Sequence, residues 1–277
     1  MTFKGLFTDE RALFRTDAAE VTDAVFEEGE SPLKHCSDII ASNTIFRGKY
    51  PLWYSRNITV RGCTFGDGAR AGMWYTNHLS LTDTLCCAQK CLRRCSSVTL
   101  ENVTFTDAPE TLWDCSGIAM KNVSVNGDYL AMNCRDMDID RLTLNGKYSF
   151  DGAKNVTVRN STIIGRDAFW NCEDITAENC YFSGAYLGWN SKRLTFKNCT
   201  IESLQGMCYI EDLVLINCKL VNTTLAFEYS SVNADISGSI DSVINPSCGV
   251  IKADSIGELT IDKELIDVNK ISVILNK

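Results

Sequence analysis

The sequence has only 4 prolines and 2 histidines in 277 residues, and no excess of basic charge. Its 27 Lys and Arg against 35 Asp and Glu leave a net charge of −8. Phosphate binding needs a basic face, so nucleic acid is excluded as a partner, and an anionic membrane surface is disfavoured. No run approaches the ~18 apolar residues of a membrane span. The start, Met1-Thr2-Phe3-Lys4-Gly5-Leu6-Phe7-Thr8-Asp9-Glu10, lacks the apolar stretch of a signal peptide. A cytoplasmic protein with reduced thiols is therefore expected. Gly-rich phosphate loops, nucleophile elbows and nucleotide motifs are missing, and no cofactor is expected. Fourteen cysteines are too few for a disulfide scaffold of this length. Hydrophobic residues make up 45% of the chain, enough for a real core.

What is present is a repeat. Nine-residue phrases such as Asn57-Ile58-Thr59-Val60-Arg61-Gly62-Cys63-Thr64-Phe65 recur, with copies starting at Ser97, Gly117, Asp136, Asn155, Asp174, Arg193 and Asp212, 19 or 20 residues apart. Weaker copies start at Ala18, Asp38, His78 and Ser231. Counting the first residue of each phrase as zero, positions +1 and +3 are apolar and their neighbours polar, the period of a strand with one buried face. Position +8 is mostly apolar, and so is position −5 (Leu33, Leu52, Met73, Leu92, Leu112, Phe150, Phe169, Met207). Three short strands per repeat, stacked on themselves, predict an all-β parallel β-helix of about twelve coils of ~19 residues. Position +5 is rich in Asn, which tolerates a left-handed corner and can form an amide ladder along the stack.

Residues 1–277 read as a single domain. Residues 1–9 would cap the first coil, 10–230 would form regular coils, and 231–277 would form degenerate coils and a C-terminal cap, because a solenoid must blunt its exposed strand edges.

The cysteines fall into the repeat rows. Cys36, Cys95, Cys115, Cys134 and Cys172 share position −2 with Ser55, Thr76, Ala153 and Ser191, as a small buried residue would. The run Cys86-Cys87-x3-Cys91-x3-Cys95 spreads over four different positions, so its thiols should not converge on a zinc ion. Asp136-x-Asp138-x-Asp140 begins like a calcium loop but meets Arg141 where glycine is required, and no metal site is assigned.

All five tryptophans occupy position −4: Trp53, Trp74, Trp113, Trp170 and Trp189, in a row with Lys34, Arg93, Met132 and Asp151. Charges are costly in a stacked core, so row −5 is expected inward and row −4 outward. Row −3 beside it is polar or aromatic, with His35, Tyr54, Tyr75, Arg94, Asp114 and Tyr209, and Tyr148 belongs to the bordering row −7. An exposed aromatic and polar ribbon marks an interaction surface. Ligand-binding candidates are Trp53, Tyr54, Trp74, Tyr75, Trp113, Tyr148, Trp170 and Trp189, with an oligosaccharide as the expected ligand. The alternative is a subunit interface in a homo-oligomer with no catalysis. If the protein is an enzyme, glycoside hydrolase or polysaccharide lyase chemistry would fall on Asp114 and Asp151 with Arg93 and Arg94 beside them, since such reactions need paired carboxylates about 5–9.5 Å apart or a base with a cation. An outward row further implies that replacing Arg93 or Asp151 leaves stability almost unchanged.

The phrases Tyr50-Pro51-Leu52-Trp53-Tyr54-Ser55, Ala69-Arg70-Ala71-Gly72-Met73-Trp74-Tyr75, Arg93-Arg94-Cys95, Glu110-Thr111-Leu112-Trp113-Asp114-Cys115, Tyr148-Ser149-Phe150-Asp151-Gly152, Asp167-Ala168-Phe169-Trp170-Asn171-Cys172 and Leu225-Ala226-Phe227-Glu228-Tyr229-Ser230 resemble the DUF3737 family over nearly the whole chain. The resemblance implies a pectin-lyase-like fold and a right-handed, single-stranded helix. It implies no activity.

Overall fold

The computed structural model describes residues 1–276. The chain is an all-β parallel β-solenoid of about fourteen turns, with no α-helix among the described residues. No helix is long and apolar enough to cross a membrane. Two compact units divide it, Met1–Leu144 and the residues from Asn145 onward.

In the first unit the repeat phrases become strands that pair in parallel and in register. Ile39, Ile58, Leu79, Val98 and Ile118 stand one above another, as do Ala41, Val60, Leu81, Leu100 and Met120. A second leg stacks Phe26, Phe46, Phe65, Cys86 and Phe105. The phenyl rings of Phe26, Phe46 and Phe65 lie 5.1 and 4.7 Å apart, and all three residues are buried. In the second unit Val156, Ile175 and Leu194 form one column, and Ile163, Phe182, Ile201 and Leu220 another. Each column is the +1, +3 or +8 row of the sequence, turned into one stripe of core.

The corners obey the chemistry of the +5 row. Asn43, Gly62, Asp83, Asn102 and Asn122 in the first unit, and Asn160, Asn179, Asn198 and Asn217 in the second, all have φ between 48° and 58°. Their amides form ladders: Asn102 donates to Asp83 at 2.9 Å and Asn122 to Asn102 at 2.7 Å. The zero row is left-handed too, at Asn57, His78, Ser97 and Asp174 among others.

The third leg departs from expectation. Among the described residues only Met73–Trp74 and Leu92–Arg93 pair there as strands. Elsewhere the leg is a run of turns in which alternate residues are left-handed, as at Tyr50, Leu52 and Tyr54 or Tyr148 and Phe150. Side chains with a Cβ disfavour this region by roughly 1–2 kcal/mol each. Burial offsets that cost at row −5, where Leu33, Leu52, Met73, Leu92, Leu112, Phe150, Phe169 and Met207 are fully enclosed.

Row −2 shows why Cys, Ser and Thr interchange. Cys95 Sγ donates to the Met73 carbonyl at 2.8 Å, Cys134 to Leu112 at 2.8 Å, Ser55 to Leu33 at 2.9 Å and Cys172 to Phe150 at 2.9 Å. Each caps the row −5 carbonyl of the preceding coil, so the position favours a small buried donor, although Ala153 fills it in one coil by size alone. Burial pushes the Cys36 thiol up to about 11.

The ends account for the difference between about twelve and about fourteen turns. Thr2–Phe7 pairs in parallel with the next strand and stacks Phe7 on Phe26 at 4.9 Å. At the other end Ser231–Ile236, Cys248–Ala253 and Ile271–Leu275 pair successively in parallel. These segments continue the coil path instead of only closing it.

Replacing Asn102 with valine places a β-branched residue at φ 54° and removes both amide bonds. The expected loss is about 1–2 kcal/mol in urea unfolding, with Asn102→Gly losing less because glycine adopts this conformation freely.

Candidate functional site

In the first unit row −4 is a column of stacked planar groups. Lys34 Nζ lies 5.4 Å from the Trp53 ring, Trp53 and Trp74 stack at 5.3 Å and 10°, and Arg93 lies 4.5 Å from both Trp74 and Trp113. The column is outside the core but half-buried, because each member covers its neighbour. The indole N–H groups are also satisfied. Trp53 donates to the Ala71 carbonyl, Trp74 to Lys90 at 2.7 Å and Trp113 to Tyr129 at 2.7 Å. Each acceptor sits at position −7 of the next coil, so the tryptophans brace one corner to the next. The faces of Trp74 are covered by Trp53 and Arg93, and the column turns ring edges outward.

Arg93 is therefore not a free surface cation. Its side chain is 20% exposed, its guanidinium lies 3.3 Å from Glu110, and Glu110 in turn holds Lys90 at 2.9 Å. Its Nε is buried without a partner. This geometry argues against the expectation that Arg93 can be removed at little cost.

Row −3 is the more open ladder. His35 stacks on Tyr54 at 5.1 Å, and Tyr54 on Tyr75 at 4.6 Å with their planes 1° apart. Arg94 follows, 5.8 Å from the Tyr75 ring and 3.7 Å from the Asp114 carboxylate, which also accepts from Asn133 at 3.4 Å. Tyr54 is 46% exposed. Desolvation, then the charges of Lys34 and Arg15, hold the His35 imidazole below its ordinary value. The Arg94–Asp114 pair is exposed and contributes at most about 1 kcal/mol.

The second unit holds Tyr148, Asp151, Trp170 and Trp189. Trp170 and Trp189 stack at 5.7 Å and donate to the Tyr186 and Gln205 carbonyls, each at 2.8 Å. Tyr148 meets Trp170 edge-on at 6.2 Å. Asp151 accepts from Asn171 at 2.8 Å, and Asn190 donates to Asn171 at 2.8 Å, making a polar ladder beside the rings. Asp167, in the same sequence row as Tyr148, is fully buried against Arg166, and its Oδ1 has no partner.

The four proposed catalytic residues thus divide between the units. Arg93, Arg94 and Asp114 belong to the first, where Arg93 pairs with Glu110 and Arg94 with Asp114. Asp151 belongs to the second, held by an amide.

Two features escaped the sequence reading. In the second unit a groove of about 440 Å³ is lined by Tyr209, Glu211, Tyr229 and Ser231. Tyr209 packs edge-on against Trp189 at 5.2 Å and lies 5.5 Å from Tyr229. Both tyrosines are exposed. Burial, then the Glu228 charge, raises the Tyr209 phenol above its ordinary value. One residue is missing between Tyr229 and the following phrase, so Tyr229 stands beside Tyr209 although it is two residues from the phrase start and not three. In the first unit a larger groove, about 660 Å³, lies over residues 10–70.

Arg93→Ala is expected to lower stability by about 2 kcal/mol, because a desolvated cation–π contact is lost on two sides and Glu110 loses a partner. Arg94→Ala should cost under about 1 kcal/mol. Thermal or urea unfolding of the two variants checks this difference.

Several solved structures are similar to this chain at a low level. The surface adhesin PfbA of Streptococcus pneumoniae is 10% identical with a TM-score of 0.42, covering 94% of this chain and 81% of that one. A double mutant of the tailspike protein of E. coli bacteriophage HK620 is 10% identical with a TM-score of 0.44, covering 98% and 72%. The A-module of the Azotobacter vinelandii mannuronan C-5 epimerase AlgE4 is 9% identical with a TM-score of 0.29, covering 99% and 87%. No curated protein matches the chain in sequence. A family described as protein of unknown function (DUF3737) matches residues 2–274, and the chain belongs to that family.

Proposed function

We propose that the protein is a non-catalytic binder of extended oligosaccharides, held by the exposed rings of the outer corner. The observation that carries this reading is the groove of Tyr209 and Tyr229. Two exposed rings 5.5 Å apart stand there with a carboxylate, Glu211, and a hydroxyl, Ser231. Aromatic faces suit the C–H side of a sugar ring, while carboxylates and hydroxyls suit its oxygens. Coils repeat every ~4.8 Å, close to the length of one extended sugar residue, so a linear chain can meet one coil per unit. In the first unit His35, Tyr54 and Tyr75 stack face to face and offer ring edges and hydroxyls, with Arg94 and Asp114 as hydrogen-bonding groups.

The tryptophans serve this surface indirectly, by fixing the corner. Arg93, Arg94, Asp114 and Asp151 are held by structural partners, which suits positioning better than proton transfer. A subunit interface is the second reading, favoured by the exposed ring of Tyr54 stacked on the half-buried Tyr75.

An oligosaccharide screen on the wild type, Tyr209→Ala and Tyr229→Ala separates them. Binding by the wild type that weakens at least about tenfold in both variants supports the reading. Equal binding by all three, or none by the wild type, contradicts it. Self-association abolished by Tyr54→Ala and Tyr75→Ala would establish the second reading instead.

A further inference from the structure

The larger groove of the first unit is unrelated to the aromatic ladder in its chemistry. Its floor is bare main chain. A Cβ on Gly48 would lie 2.5 Å from the Gly29 carbonyl oxygen, and one on Gly68 would lie 2.1 Å from that of Arg47. Successive coils therefore touch backbone to backbone, and no side chain rises from the middle of the groove. Charged residues line the groove.

Their order along the stack is not random. Position −8 reads Glu10, Glu30, Lys49 and Arg70 in successive coils, acid, acid, base, base. Glu28, Arg47 and Asp67 also line the groove. The middle charges are neutralised within the protein: Arg47 pairs with Glu27 at 2.9 Å and Lys49 with Glu30 at 3.6 Å. One oxygen of Glu10 accepts the Glu30 N–H at 2.6 Å. Glu28 and Glu10 at one end, and Arg70 and Asp67 at the other, have no ion-pair partner among the described residues. A groove with low-dielectric walls concentrates the field of such end charges. The result is a dipolar slot, negative toward the first coils and carrying a free guanidinium two coils further on.

The Glu10 carboxylate reaches the Glu30 N–H, beside Glu28, and Arg70 lies two coil steps beyond that level, about 10 Å. Three extended residues span about 10–11 Å. We propose that this groove binds a short linear zwitterion the length of an extended tripeptide, with its ammonium held by Glu10 and Glu28 and its carboxylate by Arg70. Arg70 presents a fork that matches a carboxylate. Asp67, in the same coil, accepts the last peptide N–H and repels a doubly charged anion. The flat glycine floor leaves space for the peptide backbone, and side chains of the ligand point to solvent, so selectivity rests on the two termini and the distance between them. This inference does not depend on the oligosaccharide reading.

Isothermal titration at low ionic strength with trialanine, N-acetyl-trialanine, trialanine amide and inorganic phosphate tests it. Trialanine should bind, blocking either end should weaken binding at least about tenfold, and phosphate should not compete. Arg70→Ala should abolish discrimination at the carboxylate, so that trialanine and its amide bind alike. Glu28→Gln should do the same at the ammonium. Both residues are exposed at the surface, and far-UV circular dichroism confirms that the variants keep the fold. Failure of trialanine to bind, equal binding of the blocked peptides to the wild type, or unchanged discrimination in Arg70→Ala would overturn the assignment.

Discussion

Everything in this structure depends on one constraint: each coil must lay its main chain on the coil before it, in register, through parallel hydrogen bonds. That requirement fixes the repeat length, because a coil with an extra residue must find somewhere to hide it. It also converts every position of the repeat into a column of like neighbours spaced by the strand separation. Apolar positions become stripes of core, amides become ladders, and planar side chains stack. The left-handed corners are part of the same constraint, since the chain can turn so sharply only by visiting that region repeatedly.

Columns of this kind change what a residue does. A lone tryptophan at the surface would offer two faces to a ligand. Trp74 offers none, because Trp53 and Arg93 cover it and its N–H is bonded to the next coil. The same packing turns Arg93 from a surface cation into the filling of an aromatic sandwich. Exposed rings are then left to the neighbouring row, where the corner turns and Tyr54, Tyr209 and Tyr229 project. The two grooves arise in the same way, from what several coils place at one position: rings in one case, ordered charges over a glycine floor in the other.

Much of the fold was legible because a solenoid writes its architecture in side-chain periodicity. Rows +1, +3, +8 and −5 appear in the structure as buried columns, and the Asn of row +5 sits at the corner that requires it. The third leg was not legible. Leu52, Tyr54 and Phe150 adopt positive φ although nothing in their residue type signals it, so the leg reads as a strand and folds as turns. The site was only half readable. Sequence counting finds which residues share a row but not which faces their neighbours cover, nor that Arg93 prefers Glu110. Tyr229 was displaced from its row by a single missing residue. The charged groove was hidden because its members, two acids and then two bases along one row, mean nothing until successive coils stand together.

The central claim is that the tryptophans are structural braces and that the tyrosines and charges beside them do the binding. Hydrogen exchange of the five indole N–H groups, read by nitrogen-edited NMR, tests it most directly. Bonds to main-chain carbonyls beneath half-buried stacks predict five slowly exchanging indole protons, protected for far longer than those of a freely exposed indole. Exchange of all five at the rate of an unstructured peptide would show open rings, and would return the tryptophan row to the role of a ligand platform.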